Sequence, residues 1–156
     1  MGKMQIAQRQ EQNFQALLLI RFEDMFNLDG LDTDQLTSLD PGQHYFTLQE
    51  SHADTFRDVA LFDAVINNAD RKGGHCLLGE DGSIFLIDHG VCFNEDDKLR
   101  TVIWDHAGEP LDEGRAHDLA AFAASLYDPM DPVRAELESL LLPEEVKRIS
   151  LILSHI

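Results

Sequence analysis

The sequence predicts an α+β fold, mainly helical, with one short β-hairpin near the middle of the chain. Three observations carry this. Apolar residues recur at helical spacing near both ends; two short apolar runs, Cys76–Leu78 and Ser83–Ile87, bracket a Gly79-Glu80-Asp81-Gly82 turn; and 44% hydrophobic with 26% charged residues is the make-up of a soluble globular domain. A length of 156 residues suits one domain of ordinary size, or half of a larger protein.

The elements follow in order. From about Met4 to Phe26, Phe14, Leu17, Leu18, Phe22, Met25 and Phe26 form an i, i+3/i+4 apolar stripe interrupted by Arg21. Asn27 to Gln43 is rich in aspartate, carries turn signals at Asp29-Gly30 and Asp40-Pro41-Gly42, and reads as a loop with one helical turn around Asp34 to Leu39. Its acids lack the spacing and closing glutamate of a calcium-binding EF-hand. Ser51 and Asp54 resemble a capping box for a second helix, in which Phe56, Val59, Ala60, Phe62, Val65 and Ile66 cover more than half the circumference. Asn67-Asn68 suits its end. The hairpin comes next, then irregular chain from Val91 to about Pro110. Three helical patterns close the sequence at roughly Asp112–Leu126, Pro132–Leu141 and Pro143–Ser154. Pro132 and Pro143 stand in first turns, and Glu144-Glu145 complements the positive end of the last helix.

Charge narrows the function classes. Twelve Lys+Arg against 29 Asp+Glu leave a formal net charge of −17. Phosphate backbones and acidic lipid leaflets reward clustered cations, so no nucleic-acid partner and no unaided docking on an anionic membrane are expected. The longest early apolar run, Ala16–Ile20, is too short for a signal segment or a membrane span. A cytoplasmic location follows as the expectation. Cys76 and Cys92 form neither a CxxC pair nor a disulfide framework, and read as reduced, partly buried thiols.

Two polar clusters flank the hairpin: Asn68-Ala69-Asp70-Arg71-Lys72-Gly73-Gly74-His75 before it and Asp88-His89-Gly90 after it. A hairpin brings its ends together, so Asp70, His75 and Asp88 are expected at one mouth. Carboxylates and an imidazole gathered there are costly unless they bind a cation or handle a proton. Such a set suits a hard ion such as Mg²⁺, with one carboxylate left to orient a nucleophile. Each residue also fits a purely structural role. Asp70 would then cap a turn and pair with Arg71 or Lys72, Asp88 would be a buried acid, and His75 and His89 would pack in the core. Trp104 and Asp105 fit a substrate-side surface, although tryptophan is more commonly buried.

The order of helix, Asp70-Arg71-Lys72-Gly73-Gly74-His75, hairpin and Asp88-His89-Gly90 resembles the C-terminal lobe of a protein-kinase-like fold, with its D-x-x-x-x-N loop and DFG-type metal motif. The phosphatidylinositol 3-/4-kinase-like group is the most similar, especially the type II phosphatidylinositol 4-kinases, which carry an Asp-Arg pair in the first motif and Asp-Asn-Gly in the second. Asn67–Gly90, together with His44-Tyr45-Phe46-Thr47-Leu48 and Leu99–Asp105, is also similar to an uncharacterised actinobacterial family related to that group. The resemblance implies a division into residues 1–43, an N-terminal helix and acidic loop with no recognisable kinase N-lobe, and residues 44–156, a C-lobe-like domain. It further implies ATP and Mg²⁺ as cofactors and phosphoryl transfer to a hydroxyl of a lipid, protein or small molecule. Asp70 would orient the acceptor hydroxyl, with Arg71 and Lys72 neutralising the transferred group. Asp88 and His75 would hold the metal, with Gly90 beside the nucleotide. His75 replaces the expected asparagine.

Before Lys72 the only lysine is Lys3, and the only earlier glycines are Gly2, Gly30 and Gly42. The phosphate-covering loop and strand lysine of a kinase N-lobe are therefore not recognisable. Efficient turnover by the chain alone is not expected, and a face left open by that lobe would favour a homodimer. Two rival readings follow. One is an inactive, pseudokinase-like module that binds a nucleotide, a metal or a protein. The other is a metal-dependent hydrolase built on Asp70, His75, Asp88 and His89.

Overall fold

The computed structural model describes Gln8, Arg9 and residues 42–156. The expected N-terminal helix, apart from Gln8 and Arg9, and the helical turn at Asp34–Leu39 lie outside the described residues. The elements described here are α1 (Tyr45–Leu48), α2 (Ala53–Val65), a 3₁₀ turn (Gly73–His75), β1 (Cys76–Leu78), β2 (Ile84–Leu86), α3 (Glu113–Tyr127), α4 (Pro132–Leu140) and α5 (Pro143–Leu153). The α+β architecture is therefore mainly helical with one two-stranded antiparallel sheet.

Helix α2 is the central element. Phe56, Val59, Phe62, Val65 and the following Ile66 are buried, as their spacing predicts. The proposed capping box does not form. His52 N–H donates to Leu48 O, so the chain winds from α1 into α2, and the Ser51 hydroxyl donates back to Leu48 O instead of capping α2. The C-terminus is a Schellman motif: Asn68 N–H donates to Asp63 O, Asn67 N–H to Ala64 O, and Asn67 takes the left-handed conformation at φ 49°.

The hairpin pairs Cys76 with Leu86, Leu77 with Phe85 and Leu78 with Ile84. Gly79 N–H donates to Ser83 O, and Gly82 sits at φ 86°. A Cβ at Gly79 would lie 2.4 Å from Phe85 Cε2, whereas one at Gly74 meets nothing within 4 Å. Gly79→Ala is therefore expected to lower stability by about 1–3 kcal/mol, and Gly74→Ala to leave it unchanged or raise it by about 0.4–1 kcal/mol. Urea titrations of both variants test this, and equal midpoints would contradict it.

The C-terminal helices begin as their sequence signals predict. The Asp112 carboxylate accepts the Arg115 N–H at 3.0 Å, and Asp131 caps α4 ahead of Pro132. Glu145 accepts the Leu142 N–H at the start of α5 and pairs with Arg9. Helix α5 packs on α2, α3 and α4, and Leu119, Leu126, Leu137, Leu141, Val146 and Ile149 complete the core. Both cysteines are free and buried, and burial pushes the Cys76 thiol up to about 12 and raises that of Cys92 as well. Trp104, by contrast, is 56% exposed. It follows a segment whose only buried neighbour is Ile103, which takes the inward place.

Candidate functional site

The segment between α2 and β1 and the segment after β2 meet through their backbones. Ile87 N–H donates to His75 O at 3.0 Å, and Ala69 N–H donates to Val91 O at 3.0 Å. The irregular chain that follows is tied to the same place. Arg100 N–H donates to Asn68 O, Arg71 N–H to Arg100 O, and Arg71 forms an isolated parallel bridge with Thr101. The Asn67 side chain donates to Asn94 O and Asp96 O and accepts from Lys98 N–H. Helix end, candidate loop and residues 91–101 are thus one hydrogen-bonded unit.

Its surface carries the charged groups. His75 Nε2 lies 3.5 Å from Asp88 Oδ2, with the Asp88 side chain 57% exposed and that of His75 11% exposed. Lys72 Nζ donates to Asp70 Oδ2 at 2.7 Å. That bond holds the Asp70 carboxyl below its ordinary value and raises the Lys72 ammonium. Asp70 N–H is itself fixed by Asn68 Oδ1 at 3.1 Å. Asp88 adopts φ 61°, a left-handed conformation that aspartate tolerates better than most residues. Gly90 continues the turn after it, one residue before the Val91 carbonyl that binds Ala69. Gly73 turns the chain under Phe46, where a Cβ would lie 2.7 Å from Cε2.

Two expectations need correction. Arg71 does not face outward to neutralise a phosphoryl group, because its side chain is wholly buried. Nε donates to both oxygens of Asp63 at 3.1 and 3.0 Å, Nη2 to Asp63 Oδ1 at 2.8 Å, and Nη1 to Ile87 O at 3.1 Å. Asp63 outweighs the opposing effect of burial and holds the guanidinium above its ordinary pKa. The four residues of the hydrolase reading also do not gather. His89 turns inward, packs edge-on against Phe62 and places Nε2 3.1 Å from Arg71 Nη2. Since arginine only donates, that nitrogen is the acceptor and the ring is neutral. Burial, with Arg71 and His75 nearby, pushes its pKa down to about 3. Among the described residues, no three His, Cys, Asp or Glu side chains stand together as a metal cluster.

Of the His75–Asp88 pair, the Asp88 carboxylate is the group that suits Mg²⁺, an ion commonly held by one or two carboxylates with phosphate oxygens and water completing its shell. The His75 imidazole is a poorer ligand for so hard an ion. Asp63 is the residue that reading the sequence missed. It is buried at 0% exposure and collects bonds from Arg71, Asn68 Nδ2 at 2.9 Å and the Thr101 hydroxyl at 3.3 Å. Its signal was an acid between Phe62 and Val65 on an otherwise apolar helix face.

A separate cleft of about 890 Å³ runs along another flank of α2, between Ala60, Leu61, Ile103, Trp104, Leu111 and the helix starts. None of Asp70, Arg71, Lys72, His75, Asp88 and Gly90 lines it, whereas Trp104 does, and Thr101 both lines it and reaches Asp63. Its charges are matched internally, Arg57 with Asp54 and Glu109, and Arg115 with Asp54, Asp58 and Asp112.

The chain is similar to Protein Rv2133c of Mycobacterium tuberculosis (strain H37Rv). The two are 48% identical over 81 residues, which is 51% of this chain and 29% of that protein. The chain thus matches less than a third of its relative's length. No family model and no solved structure matches it.

Proposed function

We propose that residues 44–156 act as the C-terminal lobe of a phosphotransferase related to the phosphatidylinositol 3-/4-kinase-like group, handling Mg²⁺ and ATP. The observation that carries this reading is the meeting of His75 and Asp88 at 3.5 Å across the hairpin base, with Asp70 on the adjoining loop. In this reading Asp88 and His75 hold Mg²⁺, which neutralises charge on the nucleotide phosphates when bound. Asp70, kept ionised by Lys72, accepts a hydrogen bond from the acceptor hydroxyl and orients it. Lys72, exposed beside Asp70, is the cation left to meet a transferred phosphoryl group, since Arg71 is engaged inside. The similarity to a mycobacterial protein accords with the actinobacterial family resemblance. Among the described residues, no helix is long and apolar enough to cross a membrane.

Calorimetric titration of ATP into the purified chain, with and without Mg²⁺, tests this reading. Magnesium-dependent binding is expected, and Asp88→Ala is expected to abolish it. A folded chain that shows no such binding would favour the pseudokinase-like reading, a module serving a protein partner.

A further inference from the structure

We infer that Arg71, anchored by Asp63, is a positioning residue that sets the backbone of Asp88 and so aims its carboxylate at His75. The φ angle of Asp88 is the rotation that relates its own carbonyl to that of Ile87. Arg71 Nη1 donates to the Ile87 carbonyl at 3.1 Å, and Ile87 N–H donates to His75 O at 3.0 Å. The residue before Asp88 is therefore held at both of its polar groups, and Asp88 sits at φ 61° directly beyond that hold. Strained backbone persists where the surroundings over-determine it.

The anchor is built for this purpose rather than for filling space. Apolar side chains would occupy the same volume without the cost of burying two charges. What they would lack is a rigid fork that grips Asp63 through Nε and Nη2 while its remaining nitrogen reaches the Ile87 carbonyl. Asp63 in turn joins three segments, since Asn68 and Thr101 donate to the same carboxylate. Position 88 is thereby referenced to α2, to the loop of Asp70 and to residues 99–101. Lysine at position 71 would keep the charge beside Asp63 and lose the fork.

What Asp88 then binds rests on the phosphotransferase reading; the positioning itself does not. The test uses the full chain, the variant Arg71→Lys, and the double variant Asp63→Leu/Arg71→Met, which removes both charges and keeps the volume. Nuclear magnetic resonance reads the HN–Hα coupling of Asp88 and the exchange rate of the Ile87 amide, and calorimetry reads ATP affinity with Mg²⁺. Both variants are expected to shift the Asp88 coupling away from its left-handed value and to speed Ile87 exchange at least about tenfold. Magnesium-dependent ATP affinity is expected to fall about 10–100-fold, as for loss of a group that orients a metal ligand. A folded variant of either kind with unchanged coupling and exchange overturns the inference. An unmodified chain that binds no Mg²⁺–ATP, while the coupling still shifts in the variants, overturns the phosphotransferase reading alone.

Discussion

Asp63→Ala is expected to destabilise the chain by about 3–5 kcal/mol, the cost of leaving one partner of a buried pair uncompensated. Asp63 and Arg71 are both fully buried at their side chains, so no solvent replaces the lost carboxylate. The substitution also strands the Asn68 amide and the Thr101 hydroxyl, which donate to the same oxygens. With typical domains stable by only about 5–15 kcal/mol, such a loss would leave a substantial unfolded fraction. Equilibrium urea unfolding followed by circular dichroism checks it. Asp63→Leu/Arg71→Met should recover most of the loss, because the double change leaves no buried charge behind. A midpoint for Asp63→Ala within about 1 kcal/mol of the parent would mean that the guanidinium finds water.

The second large effect is a pH dependence set by His89. Its ordinary value is 6.5, and burial beside Arg71 lowers it to about 3 in the folded chain. Between those values the unfolded chain binds the proton and the folded chain does not. Stability therefore rises with pH in that window, and falls by up to about 1.4 kcal/mol per unit as the solution is acidified below pH 6.5. Above pH 6.5 the contribution is fully present. The carboxyls of Asp70, Asp81, Glu109 and Asp112 are held below their ordinary values, so they add to the loss as the pH falls through the ordinary carboxylate range. His89→Gln keeps an acceptor for Arg71 and removes the titration. Unfolding midpoints taken from pH 7.5 to 4.5 should fall more steeply for the parent than for this variant. Parallel curves would show that His89 charges without penalty.

Helices α2 to α5, the hairpin and the meeting of His75 with Asp88 were legible in the sequence because each rests on local chemistry, whereas α1 was not. Pro132 and Pro143 mark helix starts, Asn67 ends α2 by accepting a left-handed backbone, and a Gly-Glu-Asp-Gly turn brings two short apolar runs together. The capping box at Ser51 misled because a serine between two helices can either accept from an N–H of the following turn or donate its hydroxyl to a carbonyl of the preceding one. Only the fold of α1 into α2 sends its hydroxyl to Leu48.

The roles within the site were a different matter. The resemblance gave neighbouring Asp70 and Arg71 parts in one phosphoryl transfer, yet neighbouring residues on an irregular loop point in different directions. Asp70 stays at the surface with Lys72, while Arg71 goes inside to an acid eight residues earlier in the chain. His89 turns from Asp88 toward Phe62, the packing role that the sequence also offered for it. What the sequence by itself determined was that α2 to α5 are helical, that β1 and β2 form a hairpin, and which polar clusters that hairpin joins, since these depend on periodicity and turn residues close in the chain. Only the tertiary structure decided which charges are buried. That depends on whether a partner from α2, the Asp70 loop or residues 99–101 arrives to satisfy each one, and no local pattern specifies such an arrival.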